Sequence, residues 1–141
     1  MEELILKRSI LAFLAALVTW ILVASLIDRS LRFGFDGYAA AEPTMNFTLG
    51  MMFARLIMGA VSSLAAGAVM AWIAPNSKKT PMVFAVLVLL AFIPSHIQLW
   101  SVFPVWYHLT FLVTLVPLVM LGWHLAKMRR PSAQMVASNS I

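Results

Sequence analysis

Polar and charged positions in this chain follow neither helical nor strand spacing. They gather in short groups between long runs that are apolar on every face. Four uncharged runs stand out, over residues 9–27, 56–74, 82–103 and 105–125. Each holds about 19–22 residues, and at about 1.5 Å per residue such a helix crosses a hydrocarbon core of roughly 30 Å. Helices that are apolar all round face lipid and one another. The third and fourth runs are divided by Pro104, which suits the first turn of a new helix and disrupts the middle of one. The pattern predicts an all-α fold, an integral membrane four-helix bundle. A single transmembrane domain is expected over residues 1–127, with helices at about 9–27, 50–74, 82–103 and 105–125. Residues 128–141 are expected to form a disordered cytoplasmic tail.

Between the first two helices the pattern breaks for some twenty residues. Gly34, Gly37 and Pro43 punctuate a loop over 28–48, and Phe33, Phe35 and Tyr38 make it amphipathic enough to lie along a membrane surface. Asn46-Phe47-Thr48 matches a glycosylation acceptor, relevant only in a eukaryotic secretory host. The first run follows Lys7-Arg8 as a signal peptide would, but it is longer than the usual apolar region and no small-x-small cleavage site follows it. It is expected to be retained as a helix.

Composition sharpens the class. Hydrophobic residues make up 62% of the 141, charged residues 11%, and the mean hydropathy is +0.94. A soluble domain is roughly 45–50% apolar and about 25% charged, and a small fold has too little interior to bury such an excess. The lipid bilayer is therefore the expected partner. The net charge of +5 is carried by small basic groups at the ends of apolar runs, which reads as topology and not as a nucleic-acid-binding stripe. Lys7, Arg8, Lys78, Lys79, Lys127, Arg129 and Arg130 fall on one side, and Arg29, Arg32 and Arg55 on the other. Both termini of this multi-pass membrane protein are expected in the cytoplasm. With no cysteine, disulfides and thiolate sites are excluded.

In the second helix Gly59, Ser63, Gly67 and Ala71 recur every four residues, a groove of small side chains that lets a neighbouring backbone approach. Ala12 and Ala16 of the first helix are expected at the depth of Gly67 and Ala71. The same stripe also suits a homo-oligomer or a membrane partner protein. Pro94 and Pro117 lie inside the third and fourth helices and each removes a backbone donor. The resulting kinks can open space between helices near Pro94, but such prolines are also common in membrane helices without any role, and that reading is preferred.

Candidate chemistry concentrates in the last hairpin. His96 and His108 lie about six residues either side of a turn near 102–103, with Trp100 and Trp106 nearer the turn, where an aromatic belt would sit. Gln98 and Tyr107 add hydrogen-bonding groups, and Arg55 stands at the same level of the second helix. Ionisable groups within a membrane point to function by default. Three readings stay open: a structural histidine pair, a binding pocket anchored by Arg55, His96, Gln98, Tyr107 and His108, or a metal site at His96 and His108. Two histidines do not fill a zinc shell, and no cofactor is expected. Arg55 is expected to reach headgroups or to pair with Asp28. No Asp or Glu falls within a span, which removes membrane-carboxylate proton coupling and paired-carboxylate hydrolysis. Phosphate loops, Gly-x-Ser-x-Gly and His-Glu-x-x-His are absent.

Ala54-Arg55-Leu56-x-x-Gly59, Pro104-x-Trp106-Tyr107-His108 and Pro117-Leu118-x-x-Leu121-Gly122 resemble a group of small four-helix bacterial inner-membrane proteins of unknown function. The resemblance implies a four-helix bundle and a bacterial source, and brings no activity with it. The leading expectation is a non-enzymatic accessory or structural membrane protein. The alternatives are a binding or transport module for a small molecule or lipid headgroup, and a metal- or haem-dependent redox protein.

Overall fold

The computed structural model describes residues 2–129. These fold as five helices: α1 Glu2–Gly34, α2 Tyr38–Ala41, α3 Leu49–Ile73, α4 Lys79–Gln98 and α5 Val105–Met128. There is no strand among the described residues. α1, α3, α4 and α5 are long and apolar enough to cross a membrane. They alternate in direction. The start of α1, the α3–α4 connection and the end of α5 therefore share one end of the bundle, here the terminal end. The end of α1, α2, and the α4–α5 turn form the opposite, loop end.

α1 is longer than its apolar run at both ends. Glu2 and Glu3 occupy its first turn, where carboxylates favour the helix dipole, and Glu3 pairs with Lys7 at 2.7 Å. Past residue 27, the i,i+4 pair of Arg32 Nε with Asp28 Oδ2 at 3.0 Å keeps the backbone helical up to Gly34. The expected 28–48 loop is thus mostly helix at its start. It then reverses at Gly37, whose φ of 78° is left-handed and suits glycine. Thr48 caps α3, accepting from the Met51 backbone N–H.

The third helix ends at Gln98, five residues earlier than its apolar run. The residue before a proline is disfavoured in helical conformation, so Phe103 must leave the helix before Pro104. The chain uses 99–103 to do so, with Val102 and Phe103 N–H both donating to the Leu99 carbonyl. α5 continues through Met128, and residues 130–141 of the expected tail lie outside the described residues.

α3 is the centre of the bundle, flanked by α1 and α5, with α4 closing against α5 and touching α1. On one side, Ala12 and Ala16 of α1 are fully buried with Ala66, Met70 and Ala71. The Trp20 indole N–H donates to Ser63 Oγ at 3.3 Å. On the other side, a Cβ added at Gly67 would stand 2.0 Å from the Val119 carbonyl oxygen, and one at Gly122 would stand 2.1 Å from that of Leu64. The close approach at Gly67 is therefore to α5, not to α1 as its depth had suggested. Opposed glycines let the α3 and α5 backbones touch. Outward, Leu11, Val18 and Leu22 of α1, Ile57 of α3, Leu90 of α4 and Val113 of α5 are exposed, a band that a bilayer would cover.

Candidate functional site

At the loop end two polar clusters meet around one cavity. The first is the histidine pair. His96 lies in the last turn of α4 and His108 in the first turns of α5, so each is closer to its helix end than a turn at 102–103 would place it. Their Nδ1 atoms are 2.7 Å apart, the distance of a strong hydrogen bond in which one imidazole donates and the other accepts. His108 is completely buried and His96 nearly so. Trp100 stacks on His108 at 4.9 Å, and Phe111 lies 4.9 Å from His96. Aromatic walls thus hold the pair. Two nitrogens bound to one tetrahedral metal would stand about 3.4 Å apart, and these Nδ1 atoms are closer than that, at hydrogen-bond distance. No group of three or more metal-ligating His, Cys, Asp or Glu occurs among the described residues.

The second cluster hangs on Tyr38, which α2 folds back over the bundle and buries completely. Arg55 Nη1 donates to the Tyr38 hydroxyl at 2.9 Å, and that hydroxyl donates to Asp28 Oδ1 at 3.2 Å. Asp28 also receives Arg32, which reaches Glu42 at 3.0 Å. The two acids are therefore both occupied by Arg32, and Arg55 meets Asp28 only through a phenol. Its guanidinium lies 4.6 Å from the centre of the Phe47 ring. Burial pushes the Tyr38 phenol above its ordinary value of 10, against the opposing pull of Arg55.

Between the clusters lies a cavity of about 150 Å³. Arg55, His96, Tyr107 and His108 line it, together with Trp20 and Phe111. Arg55 Nε and His108 Nε2 are buried and have no hydrogen-bond partner. Gln98, the fifth candidate read from the sequence, is exposed at the end of α4 and does not line the cavity. It lies two positions beyond His96, and that i,i+2 spacing turns it away from the face His96 uses. The cavity also lies next to Pro94, since Phe92, Ser95 and His96 contribute to its wall.

No family model, curated protein or solved structure matches this chain.

Tyr38 is the residue that sequence reasoning missed, being taken only as part of an amphipathic loop. Gly34 and Gly37, which bracket a reversal, were the available sign that this loop turns back on itself. Gly59 was read as a packing residue, and it also lines the cavity. A Cβ there would come within 2.7 Å of the Phe111 ring, so its lack of a side chain makes room for that wall.

Proposed function

We propose that this chain is a non-enzymatic four-helix membrane protein whose loop-end cavity binds a small oxyanion, free or carried on a lipid headgroup. One observation carries the reading: two buried, unpartnered polar atoms, Arg55 Nε and His108 Nε2, belong to residues lining the same cavity. A buried donor left unmatched costs about 1–3 kcal/mol, more when charged. A ligand that brings acceptor oxygens relieves that cost. Arg55 makes no ion pair among the described residues, and its fork of donors suits carboxylate or phosphate oxygens. The histidine pair can adapt. When His96 Nδ1 donates to His108 Nδ1, the neutral His108 carries its remaining proton on Nε2 and becomes a second donor to the ligand. About 150 Å³ is room for several waters or one small polar group.

Titrating acetate or inorganic phosphate into the detergent-solubilised protein at constant ionic strength should give a saturable change in tryptophan fluorescence. Trp20 lines the cavity and Trp100 stacks on His108, so both are placed to report it. Arg55→Gln should weaken the response at least tenfold. A response to short-chain phosphatidic acid but not to inorganic phosphate assigns the oxyanion to a headgroup. A silent wild type, or equal binding by Arg55→Gln, overturns the proposal and leaves the histidine pair with a structural role in an accessory protein.

The same reading places both termini in the cytoplasm and the cavity on the outer side. Six of the nine basic residues among the described residues support this, since they belong to the terminal end. The resemblance to bacterial proteins points to the inner membrane. A reporter that is active only outside the cytoplasm should be silent when fused to the C-terminus and active when inserted at Pro43. The reverse pattern would refute this topology.

A further inference from the structure

We infer that the terminal end carries a binding site for one anionic phospholipid, in a groove between α1 and α4. The groove is separate from the oxyanion cavity, at the opposite end of the bundle. Its volume is about 600 Å³, and its walls are apolar: Ile5, Phe13 and Leu14 of α1 face Val83 and Leu87 of α4. The lining residues of α1 run from Glu2 to Leu14 along one helical face, a length of about 18 Å at 1.5 Å per residue. The part inside the apolar run, from Ser9 to Leu14, is about 8 Å of that and takes the upper half of one leaflet's roughly 15 Å of hydrocarbon. The groove is shaped for an acyl chain lying along the helices.

What covers this groove is indicated by charge. It adjoins a second hollow of about 340 Å³ that shares Ile5, Ser77 and Lys79 with it and adds Arg8 and Asn76. Arg8 and Lys79 make no ion pair among the described residues. The N-terminus of α4 opens beside them, adding its own positive potential. Glu2 is the one acid among the lining residues, while its neighbour Glu3 is taken up by Lys7. An apolar groove flanked at one level by two unpaired cations, an amide and a hydroxyl matches a phosphate-bearing headgroup with the upper part of its acyl chain. Basic pockets between membrane helices recognise anionic headgroups in this way.

Native mass spectrometry of the full chain, purified in mild detergent with equimolar phosphatidylglycerol and phosphatidylcholine, tests the site. The wild type should retain phosphatidylglycerol at least tenfold over phosphatidylcholine. Arg8→Gln with Lys79→Gln should abolish that preference. These two side chains are at the surface, so folding is not at stake. Val83→Trp should fill the groove and reduce retention of both lipids. Lys127→Gln with Arg129→Gln, at the same end but outside the groove, should leave the preference intact. Equal retention by the wild type, a preference that survives the Arg8/Lys79 change, or one lost equally on changing Lys127 and Arg129 would each overturn the assignment.

Discussion

Replacing Gly67 with alanine is expected to destabilise the bundle by about 3 kcal/mol or more, and Gly122→Ala by a similar amount. In an isolated helix the same change would be favourable, because glycine is the poorer helix former by about 1 kcal/mol. Here the added carbon would lie 2.0 Å from the Val119 carbonyl oxygen and 2.8 Å from the Trp123 amide nitrogen. Both are backbone atoms of α5, and no rotamer change relieves the clash. The two helices must separate, and that removes contacts along their whole length. Gly59→Ala should be milder, since its obstacle is the Phe111 ring. Gly34→Ala, with nothing within 4 Å, is the control. Unfolding in detergent followed by circular dichroism reads the series. If Gly67→Ala and Gly34→Ala melt together, the close α3–α5 contact is not present in the protein.

Tyr38→Phe is expected to cost about 2 kcal/mol, because it removes one hydroxyl that serves two ionised partners. Arg55 Nη1 loses its acceptor at 2.9 Å, and Asp28 Oδ1 loses its donor at 3.2 Å, although Arg32 still holds the other carboxylate oxygen. The ring contacts to Phe35 and Phe47 survive, so the change isolates the hydroxyl. The same residue gives the fold an alkaline limit. Burial raises the Tyr38 phenol above its ordinary value of 10, so the unfolded chain ionises first as pH rises. Its contribution is therefore complete below about pH 10 and is lost as pH climbs through the folded-state value. The phenylalanine variant should lack this part of the alkaline decline. Equal stability of the two proteins at neutral pH, with superimposable alkaline limbs, would show that the hydroxyl links nothing.

Single residues show how far the sequence could be read. Four apolar runs located the four long helices because a helix satisfies its backbone from within, and apolar length alone decides whether it can span. Helix ends were less legible. Asp28 and Arg32 looked like the start of a loop, yet their i,i+4 spacing lets them sustain a helix. At the other end of the chain, Pro104 marked the break correctly. The turn before it consumed five residues, because Phe103 could not remain helical ahead of a proline. His96 and His108 could be paired by symmetry about the turn, and the structure brings them within one hydrogen bond. Gln98 could not be ruled out by proximity in sequence, since side chains two apart on a helix point to different faces.

The sequence by itself determined the class of molecule: four long apolar helices, an excess of hydrophobic surface, and basic groups confined to the ends of the runs. These follow from composition and spacing, which act locally. Only the tertiary structure decided that α3 is the centre, that Gly67 meets α5, and that Arg55 shares a cavity with the histidine pair while Tyr38 takes its place as partner to Asp28. Helices that are apolar all round carry no hydrophobic stripe to say which face turns inward, and the small-residue stripe of α3 marks a packing face without naming the helix that meets it. Their rotation is set by where backbones can approach and where buried polar atoms find partners, and both depend on residues distant in the chain.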